Sequence, residues 1–179
     1  MKNKNYVFIA RSIDGYIADK NGDIDWLYTV ANTENSDCGY EKFINKIDAI
    51  IMGRSSFEKV LSFGIDWPYN IPVLVLSNTL KKIPKGYIGK VEIISGTPKE
   101  ILKTAHTKGY KHLYIDGGKT VQGFLNQDLI DEICITTIPI LLGEGIPLFK
   151  ELPEKIRFEH IKTEVYLNEL VQSNYRRKR

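Results

Sequence analysis

The sequence contains few of the residues that build disulfide frameworks and metal sites. Its 179 residues include two cysteines, Cys38 and Cys134, and three scattered histidines. Two cysteines without a CxxC spacing do not form a disulfide scaffold, and separated histidines do not form a ligand cluster. We therefore expect free thiols and no bound metal. Free thiols, and an N-terminus in which Arg11 interrupts a short apolar stretch, predict a cytoplasmic protein without a signal peptide.

Long apolar runs and a strong excess of one charge are also missing. No apolar stretch approaches the ~18 residues of a membrane span, so we expect no transmembrane helix and no membrane partner. Lys and Arg number 25 against 22 Asp and Glu, and residues 176–179 are all basic. Without those four the chain is close to neutral, so we expect no nucleic-acid partner. Residues 176–179 are predicted to form a solvated basic tail.

The remaining composition is typical of one globular domain. Hydrophobic residues make up 42% and charged residues 26% of the chain, which is too apolar for a disordered protein. The length suits a single domain, and the sequence shows neither an internal repeat nor a linker. We therefore predict one domain over residues 1–179.

Short apolar segments alternate with segments of helical spacing. The predicted strands cover residues 6–13, 48–52, 71–76, 91–94, 112–115 and 133–139. The predicted helices cover residues 39–47, a stretch that opens at 54–58, 97–108 and 119–127, the third with a capping box at Thr97–Glu100. This alternation predicts an α/β fold with a mostly parallel central sheet flanked by helices. Two long strands, 156–167 and 169–176, predict a C-terminal antiparallel hairpin with a tight turn at Leu167–Asn168.

Two of the strand-to-helix junctions share a pattern that suits anion binding. At such a junction, free backbone N–H groups and the helix dipole attract anions, and glycine lets a phosphate approach the backbone closely. Each junction adds hydroxyl groups and one cation. The residues are Gly53, Arg54, Ser55 and Ser56 at the first junction, and Gly117, Gly118, Lys119 and Thr120 at the second. A pair of anion sites fits a dinucleotide, and two ordinary turns are the alternative.

The second junction ends in Gly-Lys-Thr but is not a P-loop. A P-loop needs another glycine five residues before its second glycine. Counted back from Gly118, that position is Leu113, inside a predicted strand. The sequence also lacks GxGxxG, so it does not carry the dinucleotide fingerprint of a Rossmann fold.

Six segments, taken in order, resemble the dihydrofolate reductase fold, and particularly the RibD C-terminal domains, the reductase domains of bacterial riboflavin biosynthesis. They are SIDGYIA at 12–18, MGRSSFE at 52–58, VLS at 75–77, IDGG at 115–118, LIDE at 129–132 and PILLGEGIPLF at 139–149. The resemblance implies an NADPH-dependent reductase of a pyrimidine- or pterin-like heterocycle. Such an enzyme would be similar to 5-amino-6-(5-phosphoribosylamino)uracil reductase or to dihydrofolate reductase. A catalytically silent nucleotide-binding module of the same fold is the alternative.

The resemblance also implies cofactor contacts and an oligomeric state. Both glycine junctions would hold phosphates. The residues beside the nicotinamide would be Ala10 and Ile17, and those lining the adenosine pocket would be Leu76, Ser77 and Asn78. Arg54, Asn78 and Lys119 correspond to a 2′-phosphate site, which favours NADPH over NADH because cations stabilise a phosphate dianion. RibD-type domains commonly pair, so the resemblance implies a homodimer.

For the proton donor, the resemblance points to a carboxylate on the helix before the first glycine junction. Counting back the same interval gives Asp37, and Thr136 falls where a hydroxyl would support that carboxylate. The role requires a raised pKa, which burial would provide. Alternatively, Asp37 caps the helix that begins near Gly39, and Glu41 or a bound water supplies the proton.

Two further positions concern the substrate. By resemblance, folate reductases bind the glutamate tail of folate with an arginine, and the corresponding residue here is Ile71. Without that cation the tail carboxylate loses its partner, so a smaller pyrimidine- or pterin-like substrate is favoured over folate. Trp26 ends the presumed substrate loop and is a candidate wall of the ring pocket, with packing in the core as the alternative.

Overall fold

An eight-stranded sheet forms the centre of the structure, a computed structural model that describes residues 2–179. The strands are β1 (Lys4–Ser12), β2 (Tyr16–Ala18), β3 (Ala49–Gly53), β4 (Val73–Leu76), β5 (Val91–Ile94), β6 (His112–Asp116), β7 (Glu132–Ile138), β8 (Ile146–Pro147), β9 (Phe158–Tyr166) and β10 (Leu170–Arg177). The helices are α1 (Tyr40–Ile44), α2 (Arg54–Ser62), α3 (Pro98–Thr107) and α4 (Gly118–Leu125), and 3₁₀ segments cover Asp25–Tyr28 and Lys85–Tyr87. Within residues 2–179, no helix has the length and apolar character needed to span a bilayer.

The strand order confirms the predicted fold class. The sheet runs β5-β4-β3-β6-β1-β7-β10-β9, and the first six of these strands are parallel. β10 pairs antiparallel with β7, and β9 pairs antiparallel with β10, which makes the predicted C-terminal hairpin. β2 and β8 form a separate antiparallel pair that the sequence did not reveal, because both strands lie inside segments with turn-like composition.

The central parallel strands are buried on both faces, which explains their continuous apolar sequence. In β3, the residues Ala49, Ile50, Ile51 and Met52 are all 0% exposed. One face of the sheet packs against the apolar sides of α3 and α4. The opposite face packs against an aromatic cluster that includes Phe43 of α1 and Phe57 of α2. Burying a side chain such as Phe57 contributes about 1.5–3 kcal/mol to folding.

The start of α3 has the predicted capping box. The Thr97 hydroxyl accepts a hydrogen bond from the Glu100 backbone N–H at 3.4 Å, and the Glu100 carboxylate accepts one from the Thr97 N–H at 2.8 Å. The bond from the Thr97 N–H, and a second one that the Thr97 hydroxyl donates to the carboxylate at 2.9 Å, lower the pKa of Glu100, because its charged form is the acceptor. Pro98 occupies the first helical position, where its missing N–H costs nothing.

The predicted basic tail is correct in part, because Arg176, Lys178 and Arg179 are exposed, but Arg176 and Arg177 belong to a strand. Arg176 and Arg177 are part of β10, and the Arg177 backbone N–H donates to the Asp131 carbonyl at 2.7 Å. The Arg177 guanidinium donates to both carboxylate oxygens of Asp128, at 2.6 and 2.9 Å, and its side chain is only 13% exposed. Arg179 pairs with Asp131. Arg177 and Arg179 thus join the C-terminal end of the hairpin to residues 128–131, the segment just before β7.

Removal of the capping hydroxyl should destabilise the protein. We expect Thr97→Ala to lower the free energy of unfolding by about 1 kcal/mol, since it removes an acceptor for an unpaired helix N–H. The control is Thr104→Ala on the same helix, whose hydroxyl only bonds back to the Glu100 carbonyl; its effect should stay within about 0.5 kcal/mol. Urea denaturation measures both, and equal losses would contradict the role of the cap.

Candidate active site

The two glycine junctions meet at one edge of the sheet. β3 and β6 are neighbours with Met52 opposite Asp116, so α2 and α4 begin side by side. A Cβ atom on Gly117 would lie 2.3 Å from the Ser56 Oγ, and one on Gly53 would lie 3.1 Å from the Thr120 Oγ1. Neither helix has a side-chain cap, so the first N–H groups of both face the same space.

Arg54 connects the first junction to the end of β4. Its Nη1 donates to the Thr79 Oγ1 at 2.9 Å, and its Nε donates to Glu58 at 2.6 Å. The Ser77 hydroxyl accepts a hydrogen bond from the Leu80 N–H at 2.8 Å and thereby folds the turn that carries Asn78. Gly53 lies opposite Leu76 in the sheet. The structure therefore places the predicted adenosine residues, Leu76 to Asn78, in the strand end and turn next to the first junction, where Arg54 contacts Thr79. Lys119 is exposed at the start of α4.

Ile17 lies over the second junction. A Cβ atom on Gly118 would lie 2.7 Å from the Ile17 Cδ1 and 3.7 Å from the Ile146 Cγ2. Ala10 is half-buried on β1, where it pairs with Thr136 and packs against the cluster that contains Trp26. Ile17 on β2 thus touches the second glycine junction, and Ala10 lies on β1, the neighbour of the strand that leads into this junction.

A strap, residues 14–18 and 142–148, covers this edge of the sheet. The Asp14 carboxylate accepts hydrogen bonds from the Ser12 hydroxyl at 2.5 Å and from the Gly143 N–H at 2.7 Å. These bonds lower the pKa of Asp14, with the Ser12 bond as the largest cause. A Cβ atom on Gly145 would lie 2.3 Å from the Ala18 carbonyl oxygen, so the two halves of the strap touch backbone to backbone.

Asp37 does not have the environment that a proton donor needs. Its side chain is exposed, and its carboxylate accepts hydrogen bonds from the N–H groups of Glu41 at 2.6 Å and Gly39 at 2.9 Å. These bonds, the Glu41 bond first, lower the pKa of Asp37. The expectation of a buried carboxylate with a raised pKa is therefore wrong, and Asp37 caps the start of α1 as the alternative interpretation held.

Thr136 and Trp26 also have structural partners. Thr136 is buried, and its Oγ1 accepts a hydrogen bond from the Gln172 Nε2 at 3.0 Å. The same nitrogen donates to the Cys38 carbonyl at 2.9 Å. No hydrogen bond within residues 2–179 joins Thr136 to Asp37. Trp26 is 8% exposed and packs with Leu170 and its neighbours, which favours its alternative role in the core.

Asp116, the last residue of β6, is the carboxylate that sequence reasoning missed. Its Oδ1 lies 3.0 Å from the Tyr114 hydroxyl, and it directly precedes Gly117. Burial raises the pKa of Asp116. In the sequence it lies within the IDGG segment at 115–118, where the glycines and not the aspartate suggested a site. The available signal was its position, since a polar residue at the carboxyl end of a parallel strand lies where α/β sheets bind ligands.

Three tyrosines surround Asp116. Burial and the proximity of Asp116 raise the pKa of Tyr40 to about 12, and the same two causes raise the pKa values of Tyr69 and Tyr114. Tyr40 comes from α1 and stacks edge-on against Phe8, with ring centroids 5.7 Å apart. Tyr69 comes from the segment before β4. We call Tyr40, Tyr69 and Tyr114 the tyrosine ring. The Tyr114 hydroxyl is in hydrogen-bond contact with Asp116, and the charge of Asp116 affects the pKa of all three phenols.

A separate cleft of about 250 Å³ lies between α1 and the C-terminal hairpin. Lys42 of α1 and Lys46, two residues after α1, line it on one side, while Lys162 and Arg176 line it from the hairpin. Most of these charges are paired, because Lys162 binds Glu164 and Glu132 faces Lys46 and Arg176. Neither Asp116 nor any member of the tyrosine ring lines this cleft, so its lysines and arginine belong to a different place on the surface.

Comparison with known proteins agrees with this geometry. A crystal structure of a Shewanella sp. PV-4 protein, whose name refers to riboflavin biosynthesis, is 51% identical with a TM-score of 0.95 over 98% of this chain and 99% of that chain. The Bacillus subtilis protein YwjB, whose function is uncharacterised, is 32% identical over 98% of each chain. Dihydrofolate reductase from Enterococcus faecalis, solved with NADP(H) and RAB-propyl, is 19% identical with a TM-score of 0.68, covering 98% of this chain and 97% of that chain.

The fold is therefore that of the dihydrofolate reductase-like reductases. Residues 5–172 match the model of the RibD C-terminal domain, and the chain belongs to that family. The resemblance inferred from the six sequence segments is confirmed.

The strap should be sensitive to a single methyl group. We expect Gly145→Ala to destabilise the protein by about 1–3 kcal/mol, because the new Cβ would collide with the Ala18 carbonyl. The control is Gly86→Ala, where a Cβ has no neighbour within 4 Å and the backbone φ is not positive; its effect should stay within about 0.5 kcal/mol. Thermal and urea unfolding compare the two, and a neutral Gly145→Ala would show that the strap is not closely packed.

Proposed function

We propose that the protein is an NADPH-dependent reductase that transfers hydride to a pyrimidine- or pterin-like heterocycle. The observation that carries the proposal is the set of groups at the carboxyl ends of the parallel strands. There the uncapped starts of α2 and α4 lie together with Arg54 and with Asp116, whose carboxyl group has a raised pKa. The phosphates of a dinucleotide match the helix starts, and a carboxyl group beside them suits proton transfer to a reduced ring.

The residues at the glycine junctions fit NADPH. A Cβ would be crowded at Gly117 by Ser56 and at Gly118 by Ile17, and Gly53 leaves little space beside Thr120. Glycine at these positions would let a phosphate approach the backbone N–H groups of both helix starts closely. Arg54 would bind the 2′-phosphate next to the Ser77–Thr79 turn, and Ile17 would cover the nicotinamide. The bound cofactor would supply the hydride.

The chain itself offers Asp116 as a proton source. The Tyr114 hydroxyl lies within hydrogen-bond distance of two acceptors, the Phe8 carbonyl at 2.8 Å and the Asp116 Oδ1 at 3.0 Å. A phenol has one hydrogen and satisfies only one of them. When Tyr114 donates to Phe8, a protonated Asp116 completes the network by donating to the phenol oxygen. Burial raises the pKa of Asp116, and the hydrogen bonds with the Tyr114 hydroxyl and the Gly117 N–H offset part of that rise. The net effect is a carboxyl group that keeps its proton at higher pH than a free aspartate.

Cofactor preference tests the phosphate assignment. We expect the purified protein to bind NADPH more tightly than NADH, and Arg54→Gln to weaken NADPH binding by about tenfold while NADH binding stays the same. Arg157→Gln removes an equal charge from an exposed position outside the site and serves as the control. Fluorescence titration measures all affinities. Equal binding of the two cofactors by the unaltered protein would refute the 2′-phosphate site.

Two aspartate variants test the proton source. Asp116→Asn should lower kcat by about 100-fold or more without changing the NADPH dissociation constant, because an amide does not supply the proton. Asp37→Asn should reduce turnover by less than about threefold, since asparagine still caps a helix.

The pH dependence of kcat gives a second readout of the same variants. The pKa of Asp116 is raised, so its acid form is lost as the pH rises through that raised value, and kcat should fall there. This fall should be absent in Asp116→Asn and retained in Asp37→Asn. If Asp37→Asn is the more damaging change, the proton reaches the substrate from the start of α1 instead.

A further inference from the structure

The two ends of the candidate site differ in charge. At the cofactor end, Arg54 and Lys119 are exposed beside the helix starts. At the other end, Asp116 lies among the tyrosine ring, and the causes that shift its pKa include no lysine, arginine or histidine. The pKa values of Tyr40 and Tyr69 likewise respond to burial and to Asp116, and to no cation.

The cations on the neighbouring elements are engaged elsewhere. Lys46, which follows α1, lies 4.2 Å from the centre of the Tyr6 ring, at the separate cleft. Lys59 of α2 binds Asp23 at 2.8 Å, and Lys20 binds Glu144 at 2.7 Å. Ile71 occupies the position that corresponds to the folate-binding arginine, and it is half-buried against the aromatic cluster of the core. Of the other cations on these helices, Lys42 lines the separate cleft and Arg54 lies beside Thr79 at the cofactor end. No ion pair within residues 2–179 joins any of these cations to Asp116.

The segment that leads from the strap to α1 adds negative charge. Between residues 14 and 37 there are six acidic side chains and one basic one, Lys20. The contact between Lys59 and Asp23 holds this segment against α2. The segment therefore carries a net negative charge, and a negative charge disfavours a phosphate or carboxylate that approaches it.

We infer that this site selects an uncharged or cationic heterocycle that carries amino or hydroxyl groups and has no phosphate or carboxylate. The Asp116 carboxyl and the tyrosine ring supply acceptors and donors for such groups, and the rings of Phe8 and Trp67 border them with apolar surface. The inference rests on the proposed reductase function and narrows it. A phosphoribosylated pyrimidine, which the family resemblance first suggested, is then a poor substrate.

A matched pair of probes tests the substrate class. The probes are 5-amino-6-(ribosylamino)uracil and its 5′-phosphate, titrated calorimetrically into the protein saturated with NADPH, with oxidation of NADPH followed at the same time. We expect the form without phosphate to bind at least about tenfold more tightly and to be reduced faster, since the phosphate lacks a cationic partner.

The outcomes separate this inference from the proposed function. Equal or tighter binding of the phosphate form, with NADPH oxidation, would overturn the inference and leave the reductase assignment standing. Binding of NADPH without binding of either probe would also overturn it, because this class of ring would then not fit. Binding of the unphosphorylated probe alone, without oxidation of NADPH, would support the substrate class and contradict the reductase function.

Tyrosine variants test the recognition groups directly. Tyr69→Phe should weaken binding of the unphosphorylated probe by about fivefold to tenfold, because it removes a hydroxyl beside Asp116. The control is Tyr87→Phe, since Tyr69 and Tyr87 pack on Trp67 at 5.2 and 5.1 Å but Tyr87 is outside the tyrosine ring. An equal effect of the two changes on probe affinity would show that the hydroxyl of Tyr69 does not contact the substrate.

Discussion

Strands β3 and β6 lie side by side and point the same way, so the helices that follow them begin at one edge and in contact. This contact leaves no space for a Cβ at Gly117, and little at Gly53, because the Ser56 and Thr120 hydroxyls of the facing helix fill it. The other parts of the site follow from this arrangement. The end of β4 reaches Arg54, and Asp116 is carried to the same edge by the strand that ends there.

The strap holds itself together and rests on the start of α4. Gly145 approaches the Ala18 carbonyl, so the two halves of the strap touch through their backbones, and Asp14 joins them by hydrogen bonds to backbone N–H groups. The side chains of Ile17 and Ile146 lie over Gly118, at the second glycine junction.

Much of the fold was predictable because local patterns and tertiary packing agree. The parallel strands are short apolar runs, and the Thr97 capping box marks the start of α3 in sequence and in structure. The exceptions are elements whose partners are distant. β2 and β8 are too short and too rich in turn residues to be recognised alone, and they exist because they pair. The sequence did not show that Arg177 is part of β10, because its partner Asp128 is 49 residues away in the chain.

The sequence by itself determined the α/β class, the family and the two glycine junctions, since each is written in contiguous residues with local spacing. It did not determine which carboxyl group has a raised pKa. Asp37 is exposed and accepts hydrogen bonds from backbone N–H groups, whereas Asp116 is half-buried beside the Tyr114 hydroxyl, and burial raises its pKa. Only the tertiary structure decided between them, because burial and proximity set the pKa of a carboxyl group and both arise from residues far apart in the chain.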